Sequence, residues 1–271
     1  MDRVNRLKSD FESCRIRGDQ LDIGVAYREL AKINVSALQA ELLALTDVDW
    51  MARPIRRASL AGGEHCGADS IVMRHEWVRS YSKRGFKTLQ ESLMDWARRN
   101  KRDGRPMLPV MEERNSEASV FTFPDWFRWQ ARVCPIVAKA LESIATPSGV
   151  LTRALFVRLP PGAVINPHMD GQTMATRAHR IHVAISDCPE CVYTIGDTSF
   201  SMTPGVAYDF NNRWQHAVHN RGDVPRINLM LEYLPDPAWV FPLPLMLQPF
   251  GFPASAPTEA AGPGHDSAAS N

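Results

Sequence analysis

Between Leu151 and Leu234 the chain is a succession of short apolar runs broken by proline, glycine, asparagine and aspartate, with no helical stretch between them. The runs predicted as strands are Thr152 to Leu159, Arg180 to Ser186, Val192 to Ile195, Val206 to Phe210, His216 to Asn220 and Arg226 to Tyr233. Parallel strands need long crossovers, usually helical, so the absence of such crossovers excludes a Rossmann sheet or an α/β barrel. Many short strands at this spacing predict two antiparallel sheets packed face to face, as in a jelly roll.

The flanks read differently. Residues 1–150 are mixed, with helices prominent, and are expected to pack on the core of 151–252. Ser36 is expected to cap a helix through Leu38, Leu42, Leu43 and Leu45. Ser70 to Trp77 reads as a strand. Pro124 and Asp125 open a helix over Trp126 to Ala145, with Trp129, Val133, Ile136, Val137, Ala140, Leu141 and Ile144 at helical spacing. Pro135 inside that run is expected to kink or split it. Residues 253–271 are mostly Ala, Ser, Pro and Gly and are expected to be disordered, having little apolar surface to offset the entropy of ordering.

Charge and length narrow the function classes. The 271 residues carry 31 Lys and Arg against 30 Asp and Glu, a net charge of +1. That balance argues against a general nucleic-acid or membrane-surface binder. No run of about 18 apolar residues is present, and Met1 to Gln20 lacks the apolar stretch of a signal peptide. Five cysteines, an odd number, argue against a disulfide framework and fit a reducing cytoplasm.

His168 and Asp170 lie two apart, just after Pro167. On extended chain such residues point to one side, so an imidazole and a carboxylate converge. H-x-D alone is weak, since a polar surface turn produces it too. A third ligand must come from another strand, and His216 is preferred. His219 competes, but three residues apart on a strand the two face opposite sides. Two histidines and a carboxylate leave three open positions on an octahedral iron(II), enough for a bidentate 2-oxo acid and dioxygen.

Arg226 follows His216 by ten residues, on a strand where Arg226, Asn228 and Met230 share one face and Ile227, Leu229 and Leu231 the other. If Arg226 faces inward it needs an anion, and the remote carboxylate of 2-oxoglutarate would serve; otherwise it is a solvated strand residue. Arg180 and His182 pose the same choice. They hold the other carboxylate of the co-substrate, or they form the polar face of an edge strand.

Taken together, Arg158-Leu-Pro-Pro-Gly-Ala-Val-Ile-Asn-Pro-His168-Met-Asp170, then Arg180-Ile-His182, Pro204-Gly205, His216-Ala-Val-His-Asn220 and Arg226 resemble the aspartyl/asparaginyl β-hydroxylase family. That family includes bacterial free-amino-acid hydroxylases such as proline cis-hydroxylases. The likeness covers about Thr152 to Leu234, with a weaker upstream match at Ile33-Asn34-Val35 and Leu42 to Trp50. It implies a cupin-like double-stranded β-helix with iron(II) on His168, Asp170 and His216. It further implies 2-oxoglutarate on Arg226, with Arg180 and His182 near the iron-chelating carboxylate, and dioxygen as the oxidant. Asp170 favours hydroxylation, because halogenating relatives in the wider superfamily replace that carboxylate. The sequence departs at Ala184, where many members carry Pro. The expected substrate is an amino acid, free or peptidyl.

Arg158 and Trp214 are candidate substrate contacts. Trp126, Phe127 and Trp129 read as packing. Cys188-Pro-Glu-Cys191 reads as a turn with two free thiols, since none of Cys14, Cys66 and Cys134 forms a second pair for zinc. Two other readings remain: desaturation or ring formation at the same iron centre, and a non-oxidative metal cupin acting as an isomerase or sensor. A chain ending near Pro253 is expected to fold and turn over like the full length; comparing their melting and turnover checks this, and lost activity would place the tail over the pocket.

Overall fold

The computed structural model describes residues 20–51, 67–78, 111–114, 118–145, 149–171 and 175–235. The tail from 253 and the segment 1–19 lie outside the described residues. The elements in chain order are β1 (Tyr27–Lys32), α1 (Ser36–Leu43), α2 (Asp47–Met51), β2 (Asp69–Val78), β3 (Met111–Arg114), β4 (Ala118–Thr122), α3 (Pro124–Leu141), β5 (Val150–Leu159), β6 (Val164–His168), β7 (His179–Ala184), β8 (Cys191–Ile195), β9 (Thr198–Phe200), β10 (Val206–Phe210), β11 (His216–Asn220) and β12 (Arg226–Leu234).

Two antiparallel sheets form. The larger has the order β1-β10-β7-β12-β5-β2-β4-β3 and the smaller β6-β11-β8-β9. The jelly-roll expectation is borne out by this order, in which neighbours along the chain are mostly not neighbours in the sheet. β12 sits at the centre of the larger sheet, and all nine of its residues are buried. The boundary expected at residue 150 is not a seam between sheets. β1 pairs with β10 and β2 with β5, so the described part of 1–150 supplies four strands to the large sheet as well as three helices.

Strict alternation along β7 and β12 sorts the apolar residues into two cores. Ile181, Val183, Ile227, Leu229 and Leu231 face outward, where Leu38 and Leu42 of α1 and Trp129, Val133, Val137 and Leu141 of α3 cover them. Leu155, Val157, Leu159, Ala184, Tyr193, Ile195, Tyr208, Phe210, Val218 and Met230 fill the space between the sheets. The opposite-facing set on β7 and β12, which includes Arg180, His182, Arg226, Asn228 and Glu232, therefore points into the barrel.

Two local expectations are revised. Ser36 does not cap α1; it is the first helical residue, and its N–H and hydroxyl both donate to Asn34 Oδ1, at 3.0 and 2.7 Å. Pro135 does not split α3. It lies on the exposed side, and the carbonyl it leaves unbonded belongs to Ala131, also exposed, where water can serve it.

Gly205 fastens the entry of α1 to the barrel. Its φ is +77°, a Cβ there would run into the Ile33 carbonyl, and its backbone exchanges bonds with Ile33 and Ala184. Gly205→Ala is expected to lower stability by about 2 kcal/mol, the scale of left-handed strain plus a clash; urea unfolding measures it, and an unchanged midpoint would contradict it.

Candidate metal centre

The smaller sheet brings the two histidines together. His168 ends β6 and His216 begins β11, and they are direct cross-strand partners with ring centroids 4.3 Å apart. Asp170 lies two residues beyond β6, its loop tied down by the turn before β11. Its N–H donates to Asn212 O at 3.3 Å, Asn212 Nδ2 reaches Asp170 Oδ2 at 3.3 Å and Ala175 O at 2.9 Å, and Arg213 Nη2 donates to Asp170 O. One ligand atom from each of His168, Asp170 and His216 lies within 4.8 Å of the other two.

Each imidazole is oriented through its far nitrogen. His168 Nδ1 lies 2.7 Å from Asn166 O, and His216 Nδ1 lies 2.9 Å from Trp214 O. A carbonyl only accepts, so Nδ1 carries the proton in both rings and Nε2 presents its lone pair to the cluster. Burial, only partly offset by the Asp170 carboxylate and the bond to the Trp214 carbonyl, brings His216 down to about 4, so its imidazole is neutral near pH 7. Burial alone would raise Asp170, but Arg180 first, then His216, Arg153 and His168, hold its carboxyl well below the usual range. Two imidazoles and one carboxylate could hold a divalent ion here, and this set is the one that suits non-haem iron(II).

Behind the triad the interior is charged in a specific order. Arg180 Nη2 lies 2.6 Å from Asp170 Oδ2 and also contacts Glu232 Oε1, which Arg153 Nη1 reaches at 3.1 Å. Arg226 is 4% exposed, its guanidinium lies over the Tyr193 ring at 5.7 Å, its Nε has no hydrogen-bond partner, and among the described residues no carboxylate pairs with it. His182 is half-buried, with Nδ1 accepting from Asn228 Nδ2 at 3.3 Å and its ring tilted on Phe210 at 5.3 Å. Asn228 Nδ2 also reaches the Tyr193 hydroxyl at 2.8 Å.

The structure thus gathers His168, Asp170, His216, Arg180, His182 and Arg226 in one barrel, but two expectations need correction. Arg158 is on the opposite face of β5. Its cross-strand partner Ile227 faces outward, and its guanidinium pairs with Asp69 and Asp47, both at 2.6 Å, and lies over Trp50. The substrate contact expected of Arg158 is therefore withdrawn. Arg180, in turn, presents its Nη2 to two protein carboxylates rather than standing free for a co-substrate. Trp214 packs on the inner core at the rim, and its Nε1 donates to Asp22 at 3.2 Å. His219 faces away from His216 and accepts from Arg221 Nε at 3.3 Å.

Cys188 and Cys191 are buried free thiols at the turn into β8. Burial raises both, Cys191 to about 11, so neither offers a thiolate. Glu232, Asn212 and Arg213 had not been singled out from the sequence. The signal for Glu232 was available, since it continues the inward set Arg226, Asn228, Met230.

The residues 109–235 match the family described as Aspartyl/Asparaginyl beta-hydroxylase, and the resemblance carried by the motifs is borne out over that segment. The match supports an oxidoreductase enzyme. No curated protein sequence matches the chain. Among solved structures, a viral collagen prolyl hydroxylase from Paramecium bursaria Chlorella virus-1, in complex with 2-oxoglutarate, is 10% identical, covering 78% of this chain and 96% of its own at a TM-score of 0.35. A 2-oxoglutarate/iron(II) oxygenase-family oxidoreductase from Burkholderia pseudomallei is 12% identical, covering 53% and 80% at 0.34. A cupin domain from Bordetella pertussis is 18% identical, covering 33% and 97% at 0.25. At these scores the fold rests on this chain's own strand order. Among the described residues no helix is long and apolar enough to cross a membrane.

Alanine at His168, Asp170 or His216 is expected to abolish binding of one equivalent of manganese(II), read by the loss of its free-ion resonance. His219→Ala should bind like the wild type; the reverse pattern at 216 and 219 would overturn the ligand set.

Proposed function

We propose that this chain is an iron(II)- and 2-oxoglutarate-dependent dioxygenase that hydroxylates an unactivated C–H bond of an amino acid, free or peptidyl. The observation that carries this reading is Arg226, a buried guanidinium inside the barrel with no carboxylate beside it among the described residues. An unpaired buried charge costs several kcal/mol, so such a site is built for an anion that arrives from outside. A metal cupin without a co-substrate has no use for that group.

His168, Asp170 and His216 hold the ion in this reading. Arg226 grips the distal carboxylate of 2-oxoglutarate, with the Tyr193 ring beneath its guanidinium. His182 and Asn228, two residues from Arg226 on the same face of β12, line the path from that anchor to the ion. The inner apolar core excludes water from the path. When bound, iron(II), 2-oxoglutarate and dioxygen supply the oxidation, which inserts one oxygen atom into the substrate and releases succinate and CO2. Trp214, at the rim beside the His216 anchor, is a substrate contact. The upstream carbonyl of Trp214 already fixes His216, so substrate packing on the indole is felt directly at the ligand.

Supplied with iron(II), 2-oxoglutarate and oxygen, the wild type is expected to release succinate slowly, and faster when a pool of amino acids and peptides contains the substrate. Arg226→Ala is expected to weaken 2-oxoglutarate binding by about 3 kcal/mol, the scale for truncating a buried charge pair, while manganese(II) still binds. Product mass separates hydroxylation, a gain of one oxygen, from desaturation or ring closure, a loss of two hydrogens. No succinate with any pool, together with unchanged affinity in Arg226→Ala, would move the reading to a non-oxidative cupin, an isomerase or a sensor.

A further inference from the structure

Glu232 is the most buried charge in the barrel, with no exposed surface at all. In the sheet it stands directly between two cations: Arg180 of β7 is its cross-strand partner on one side and Arg153 of β5 on the other. Both guanidinium groups contact the same atom, Oε1. Arg180 then spends the same nitrogen, Nη2, on Asp170 Oδ2. The four side chains form one line, Arg153, Glu232, Arg180, Asp170, whose formal charges cancel.

We infer that Glu232 is a positioning residue for the metal centre: by holding Arg180 it fixes the Asp170 carboxylate, with Oδ2 turned to the guanidinium and Oδ1 turned to His168. Asp170 Oδ1 lies 3.8 Å from His168 Nε2. Asp170 itself is on a loop past the end of β6, and no strand partner sets its side chain. Its orientation comes from Asn212 and from Arg180, and Glu232, on the central strand β12, fixes the Arg180 Nη2 that Asp170 meets.

Two effects of removing the Glu232 charge act in the same direction. The line Arg153, Arg180, Asp170 then carries a surplus positive charge beside the ion, which opposes a cation. Arg180, no longer shared, falls wholly to Asp170 and competes with the ion for that carboxylate. Replacement of partners that orient metal ligands lowers affinity by about 10–100-fold in other metal sites. The role rests on the reading of His168, Asp170 and His216 as ligands.

The test uses the full chain and cobalt(II), which is stable in air and whose visible bands report ligand geometry. Wild type, Asp170→Ala, Glu232→Gln and Glu232→Asp are titrated, with apo-protein melting followed by circular dichroism. The wild type should bind one ion and Asp170→Ala should not; equal binding by both would defeat the ligand reading itself. Glu232→Gln should remain folded, bind cobalt(II) about tenfold more weakly and shift the visible bands. Glu232→Asp keeps the charge one methylene short and should recover part of the affinity. If Glu232→Gln does not fold, Glu232→Asp decides alone, with weaker binding and shifted bands expected. A folded variant with wild-type affinity and wild-type bands, whether or not its melting temperature falls, would reduce Glu232 to a structural role and overturn the inference.

Discussion

Charges inside a β-barrel must be paired, and that constraint organises this protein. β12 runs through the middle of the larger sheet with every residue buried, yet its inward face carries Arg226 and Glu232. Glu232 is matched by Arg153 and Arg180, and Arg180 is matched again by Asp170. Breaking such a network by deleting one member leaves an uncompensated charge, at a cost of about 3–5 kcal/mol. The sheet therefore holds these side chains in one arrangement, and the metal centre inherits its rigidity from them.

Arg226 follows the same rule by violating it. Seven ångströms or so of strand separate alternate inward positions, so Arg226 sits well away from Glu232 along β12, over Tyr193 and among apolar neighbours. Among the described residues no carboxylate pairs with Arg226. In the proposed reading an anion from solution completes the interior beside Arg226. That reading puts one end of a dicarboxylate on Arg226 and the other at the ion.

Much of this was legible in the sequence because the signal is period two. Six strands, β5, β7, β8, β10, β11 and β12, show alternation strong enough to read, and the same alternation correctly sent Ile227, Leu229 and Leu231 to one face and Arg226, Asn228 and Met230 to the other. β6 was not legible, because its Val-Ile-Asn-Pro-His is a mostly exposed edge strand framed by prolines. β1 was not either; Tyr-Arg-Glu-Leu-Ala-Lys has no clean alternation and is a strand only because β10 offers it an edge. Arg158 misled for a related reason. Its proximity to the metal loop in sequence is real, but register places it opposite Ile227 on the outer face, where two aspartates receive it. The pairing of Arg180 with Glu232 depends on which strands become neighbours, and β7, β12 and β5 are adjacent only in the folded sheet.

The central claim is that one ion on His168, Asp170 and His216 and one 2-oxo acid anchored by Arg226 share this barrel. The most direct measurement is an anaerobic titration of the wild-type protein with iron(II) and then 2-oxoglutarate, followed in the visible. A weak charge-transfer band that saturates at one equivalent of each, and is absent from His216→Ala, is the expected result. No band at saturating concentrations, or the same band in His216→Ala, would contradict it.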